Sequence, residues 1–118
     1  MRILAIDDNT DITKLLDTVL TSVGHEFSSD NNGKDGLKNI REHNYDMVLL
    51  DLSMPGFSGM DVINAIINDG NMDKQKIVLF TASSVSDREI EELIKRGVHS
   101  CIRKPVDIDI LLDKISQL

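Results

Sequence analysis

Met47-Val48-Leu49-Leu50-Asp51 decides how the rest of this chain folds. Four apolar residues without a break, ended by an acid, are too few for a helix and too continuous for a strand with one wet face. They suit a strand buried on both faces of a parallel sheet. Two more runs share that build: Ile3-Leu4-Ala5-Ile6 before Asp7-Asp8, and Ile77-Val78-Leu79-Phe80 before Thr81. Weaker runs at 25–29, read as an edge strand, and at 98–102 complete a set of five.

Between the runs the apolar period lengthens to that of a helix. Ile12, Leu15, Leu16, Val19, Leu20 and Val23 stripe one helix, which Gly24 stops. A short second helix at 36–43 carries Leu37 and Ile40, and Met60, Ile63, Ile66 and Ile67 mark a third that ends near Gly70. Ile90, Leu93 and Ile94 mark a fourth, with Ser86 or Asp87 as cap and Gly97 at its end. A fifth, entered from Asp107, carries Ile108, Leu111, Leu112 and Ile115. This alternation predicts an α/β fold, a doubly wound five-stranded parallel sheet with helices on both faces in a (βα)5 three-layer sandwich. The length, 118 residues, fits one domain over 1–118.

Composition narrows the function. The apolar share is 41% but aromatics are only 3%, with no Trp and Tyr45 as the single tyrosine, so the core is aliphatic. The formal net charge of −7 leaves no basic cluster of the kind that binds a phosphate backbone, so no direct nucleic-acid binding is expected. No apolar run approaches the roughly 20 residues that span a bilayer, and Met1-Arg2-Ile3-Leu4-Ala5-Ile6, meeting two aspartates, is not expected to act as a secretory signal. A single cysteine, Cys101, gives neither disulfide nor metal-site spacing, and the chain reads as cytoplasmic.

In open α/β sheets, ligands bind beyond the carboxyl ends of the strands. There stand Asp7 and Asp8, Asp51, Thr81, and Lys104 with Pro105. Singly, each has a plain structural use: Asp7-Asp8 as turn and cap, Asp51 as the start of a turn towards Pro55-Gly56, Lys104 as a solvated cation, Thr81 as a strand-end hydroxyl. Together on one rim they mean more. Three carboxylates this close repel one another unless a cation compensates. A hard divalent ion such as Mg²⁺ fits oxygen ligands and a phosphoryl group. Lys104 and Thr81 add a point charge and a hydroxyl donor. The constellation reads as a metal-assisted phosphoryl site with a carboxylate nucleophile.

Over essentially all of its length the chain resembles the receiver domain of the two-component response-regulator family. The resemblance rests on Asp7-Asp8, on Asp51-Leu52-Ser53-Met54-Pro55-Gly56 running on to Gly59, on Thr81-Ala82, and on Gly97 through Lys104-Pro105. It implies the flavodoxin-like strand order 2-1-3-4-5. It implies that Asp51 accepts a phosphoryl group from a histidine kinase or a histidine phosphotransfer protein in a phosphorelay. Mg²⁺ would be bound by Asp8, Asp51 and the carbonyl of Ser53, with Asp7 acting largely through water; Thr81 and Lys104 would contact the phosphoryl oxygens. A cis Lys104–Pro105 bond, tuning of the phosphoryl lifetime by Ser53 and Ser83, and an output face of fourth helix, fifth strand and fifth helix are implied as well.

Departures from the family pattern are Cys101 where most receivers carry an inward-swinging aromatic, His99-Ser100 in place of an acidic pair, and Val106 in place of a common Phe. With no ring at 101, a response to phosphorylation is expected mainly from Ala82 to Ser86, and Cys101 itself is expected to pack. Other functions are weaker. A haloacid-dehalogenase-type phosphatase needs a second acid two residues after the nucleophile, where this chain has Ser53. A nucleotide or flavin binder needs a glycine-rich first loop, where this chain has Asp7-Asp8-Asn9-Thr10. A non-phosphorylated, receiver-like interaction module is the remaining alternative.

Overall fold

Burial follows the apolar runs. Every residue from Ile3 to Ile6 and from Met47 to Leu50 is at most 1% exposed. In the computed structural model, which describes residues 1–82, 84–105 and 107–118, these are β1 (Arg2–Ile6) and β3 (Met47–Leu50). Ser83 and Val106, singled out from the sequence, lie outside the described residues. The other strands are β2 (Glu26–Asp30), β4 (Lys76–Ala82) and β5 (Ser100–Lys104). All pair in parallel in the order β2-β1-β3-β4-β5, the order the resemblance implied.

The helices are α1 (Thr10–Ser22), α2 (Gly33–Glu42), α3 (Gly59–Asn68), α4 (Asp87–Lys95) and α5 (Ile108–Ser116). Alternation of side chains along each strand divides the core in two. Leu4, Ile6, Val48, Leu50, Ile77 and Leu79 face α2, α3 and α4. Ile3, Ala5, Met47, Leu49, Val78 and Phe80 face Leu16 and Leu20 of α1 and Leu111 and Ile115 of α5. Each buried aliphatic chain contributes about 1.5–3 kcal/mol relative to exposure, which makes these two layers the main source of stability.

Three elements are placed differently from the sequence reading. The edge strands lie later than expected, at Glu26–Asp30 rather than 25–29 and at Ser100–Lys104 rather than 98–102. Val98 is buried, but its N–H donates to Leu93, so its apolar character belongs to the α4 exit and not to a strand. Helix α2 begins at Gly33, because the Asn32 side chain accepts from the N–H of Asp35. Gly36, read as the start of that helix, lies inside it; a Cβ there would meet Ile6 Cδ1 at 2.5 Å, so its absence lets the helix press on β1. In α1, Leu15 of the apolar stripe is 49% exposed, because Leu16 and Leu20 take the inward face. Of the alternatives at α4, Ser86 is the cap and accepts from Glu89.

At the amino end of β3, Tyr45 is buried against the core; the guanidinium carbon of Arg2 lies 5.5 Å from its ring centre and His43 meets the ring edge-on. Asp51 stands at the other end of the same strand.

Candidate functional site

Strand register builds the site. Ile6 pairs with Leu50, so Asp7 and Asp51 follow side by side, and the N–H of Asp51 donates to the carbonyl of Ile6 at 3.0 Å. Asn9, the α1 cap, donates its own N–H to Asp7 Oδ1 at 3.0 Å. Ligand oxygens of Asp7, Asp8 and Asp51 lie within 4.8 Å of one another; Asp7 and Asp51 are buried, and Asp8 is exposed. The strands β4 and β5 run past this level, so Thr81 and Lys104 are still strand residues rather than residues beyond the strand ends.

The acid at the centre is heavily engaged. Asp51 Oδ1 accepts from the Ser53 N–H at 3.2 Å and from the Thr81 hydroxyl at 3.3 Å. Its Oδ2 is 3.6 Å from Lys104 Nζ, which makes its closer contact, 2.5 Å, with Asp7 Oδ2. Burial pushes the Asp51 carboxyl above its ordinary value; the Ser53 N–H and Lys104 oppose this, Asp7 adds to it, and Thr81 opposes it. A carboxyl group on which burial and polar partners pull in opposite directions is a candidate functional group.

All six residues singled out from the sequence, Asp7, Asp8, Asp51, Ser53, Thr81 and Lys104, therefore meet on one rim. The Lys104–Pro105 bond is cis. The histidines lie elsewhere: His25 beside the Met1 amine, His43 beside Tyr45, His99 beside Ser100. The burial of Cys101 raises its thiol pKa, and the residue packs against the α4-side core.

Three supporting residues escaped the sequence reading. The Asn31 amide donates to the carbonyl of Asp7 at 2.8 Å and to Thr13 Oγ1 at 3.2 Å, which joins the β2 exit to the first acid. Phe80 places its ring 5.1 Å from Lys104 Nζ. Arg103 reaches the loop before α4. Only Asn31 carried a local signal, since Asp30-Asn31-Asn32-Gly33 reads as a turn.

The donor set, carboxylate oxygens with one open side at Asp8, suits a hard divalent cation and no thiolate- or imidazole-seeking metal.

The response regulator receiver domain model matches residues 3–116. The chemotaxis protein CheY of Pseudomonas aeruginosa is 26% identical over 119 residues, covering 100% of this chain and 95% of CheY. The CAI-1 autoinducer sensor kinase/phosphatase CqsS of Vibrio cholerae is 30% identical over 115 residues, 98% of this chain but only 17% of its own length. Among solved structures, the response regulator protein TrrA of Thermotoga maritima, in complex with Mg²⁺ and BeF, superposes with a TM-score of 0.80 at 32% identity, covering 98% of this chain and 96% of that one. A match that begins at Ile3 and ends at Ser116 takes in nearly every element described above, and the chain belongs to the receiver domains of two-component response regulators.

Proposed function

We propose that this receiver domain is switched by transfer of a phosphoryl group from a phosphohistidine, on a histidine kinase or a histidine phosphotransfer protein, to Asp51. The observation that carries the assignment is the setting of Asp51: a buried member of the acid cluster that takes both a backbone and a hydroxyl donor on Oδ1 while Oδ2 faces a lysine. Asp7, the other buried acid, is already paired with Lys104 at 2.5 Å. In the transfer, a carboxylate oxygen of Asp51 forms a bond to phosphorus, the phosphorus–nitrogen bond breaks, and the departing imidazole keeps the electron pair and takes a proton from solvent. Thr81 then donates to a phosphoryl oxygen, and Lys104 offers it a positive charge.

Asp8, Asp51 and the Ser53 carbonyl would hold Mg²⁺, with Asp7 acting through water, and the bound ion would neutralise the phosphoryl charge. Ser53, and with it Ser83, is proposed to tune how long the phosphoryl group lasts. Because Asp8 is the exposed acid of the three, Asp8→Ala relieves repulsion without emptying the core. The metal-free melting temperature is expected to rise by a few degrees and the stabilising response to Mg²⁺ to disappear. A variant that answers Mg²⁺ as the wild type does would place the cation elsewhere.

The donor has a surface to meet. Beside the rim, Ile12, Leu15, Phe80, Pro105, Ile108 and Lys104 line an almost wholly apolar groove of about 220 Å³ between α1 and α5. An apolar groove ending at Lys104 suits a helical donor that must bring an imidazole to Asp51. The signal is proposed to leave by the α4–β5–α5 side. No described helix is long and apolar enough to cross a membrane, and we place the protein in the cytoplasm, acting on proteins and not directly on nucleic acid. Its only chemistry is then on itself; at the position where a dehalogenase-type phosphatase carries its acid stands Ser53, which gives Asp51 a backbone N–H.

The test is incubation with Mg²⁺ and acetyl phosphate followed by intact mass. One added phosphoryl group, lost when a chelator is present, is the expected result; an unchanged mass would remove the reading.

A further inference from the structure

The loop that enters α4 is tied down from the edge strand. Arg103 on β5 pairs in register with Thr81 on β4. Its guanidinium donates to the Val85 carbonyl at 2.6 Å and to Asp87 Oδ1 at 2.7 Å. One side chain thus spans the strand, the loop 84–86 and the first turn of α4. Val85 packs against the α4-side core, beside Leu52 and Leu93. At the other end of the same segment, the Thr81 hydroxyl donates to Asp51 Oδ1. The two attachments coexist, one at each end of the segment between Thr81 and Asp87.

These two Arg103 bonds are unequal. The Asp87 side chain is 91% exposed, and an ion pair in water is weak. The bond to the Val85 carbonyl is charge-assisted and made by a side chain only 32% exposed, so it is the stronger of these two. Cys101, two residues earlier on β5, is too small to reach the loop, whereas a planar guanidinium can hold two acceptors at once.

We propose that Arg103 is a positioning residue for the phosphoryl site. By clamping Val85 and Asp87 to β5, it holds the loop after β4 in the arrangement that keeps Thr81 turned to Asp51. The inference rests on Asp51 being the phosphoryl acceptor. Its consequence is measurable, because a ligand that needs one arrangement binds more weakly as that arrangement becomes less populated.

The experiment titrates beryllofluoride, in the presence of Mg²⁺, into the whole chain and follows backbone amide shifts. Arg103→Met keeps the apolar stem and removes every donor. It is expected to bind beryllofluoride roughly tenfold more weakly than wild type, while Arg103→Lys, which keeps the charge and one reach, loses less. In a Thr81→Ala background the Arg103→Met effect is expected to vanish, since the residue acts through Thr81. Affinity equal to or above wild type in Arg103→Met, or an undiminished loss in the Thr81→Ala background, overturns the inference. If Arg103→Met does not fold, Arg103→Lys decides alone, an unchanged affinity counting against it. A wild type that takes up no beryllofluoride refutes Asp51 as acceptor; a wild type that binds, beside an unaffected Arg103 variant, refutes the clamp alone.

Discussion

Asp51→Asn is expected to lose all labelling by acetyl phosphate and, in the same preparation, to melt at a higher temperature than wild type in metal-free buffer. The first effect is chemical: the amide retains an acceptor oxygen for the Ser53 N–H and the Thr81 hydroxyl but is no nucleophile. The second follows from the physics of the buried carboxylate. Burial is the largest influence on Asp51 and works against its charge, and the 3.6 Å contact with Lys104 offsets it only in part. Since its folded pKa is raised, the native state holds the proton to a higher pH than the unfolded chain does. The Asp51 contribution to stability therefore falls as pH rises through the window above the ordinary carboxylate value. The advantage of Asp51→Asn should be larger at neutral pH and shrink as pH falls through the unfolded value of about 4, below which the wild type is protonated in both states. Thermal melts at the two pH values check this, and intact mass checks the labelling. Full labelling of the variant would move the acceptor elsewhere, and a lower neutral melting temperature would mean that Lys104 outweighs burial.

Gly59→Ala should be the most damaging single methyl in the molecule for the site. Gly59 opens α3, and its N–H donates to the Leu52 carbonyl at 3.2 Å. A Cβ there would stand 2.3 Å from the carbonyl oxygen of Asp51 and 2.7 Å from Leu52 Cα, both backbone atoms that cannot swing aside. The helix start and the strand end would have to part. Alanine gains about 1 kcal/mol of helix propensity over glycine, but overpacking of this kind costs about 3 kcal/mol, so a net loss of about 2 kcal/mol is expected. Roughly 10 °C of melting temperature is the corresponding scale. Because the displaced atom belongs to the acceptor itself, labelling should also slow at temperatures where the variant is fully folded. A melting temperature at or above wild type would show that the close approach is dispensable.

The parts of the fold that were legible are those decided by burial alone. Ile3–Ile6 and Met47–Leu50 have nowhere polar to turn, so their run length announced two-faced strands. Edge strands obey weaker constraints. In β2 the residues are half-wet, and Glu26, Ser28 and Ser29 are exposed, so nothing in their order marks where pairing with β1 begins. In β5 the buried Val98 misled, because a residue sealing a helix exit looks the same in sequence as one starting a strand. The convergence of the acids, Thr81 and Lys104 was legible because parallel strands bring their carboxyl ends to one rim, even though β4 and β5 run on through Thr81 and Lys104. Asn31, Phe80 and Arg103 were not: each acts on a partner far away in sequence, through a backbone carbonyl or a ring face, and such partners leave no spacing to count.

Tyr45 has a practical consequence for anyone measuring this protein. With no tryptophan present, it is the chain's principal intrinsic fluorophore. It precedes β3, whereas Asp51 follows it, and six residues of extended chain separate the two by roughly 20 Å. Packed beside Arg2 and His43, its emission will register loss of the core but stay nearly silent as the acidic rim fills and empties. Optical titrations of the rim therefore call for a reporter placed there on purpose, and an unchanged tyrosine signal on adding a ligand is no sign that the ligand stayed away.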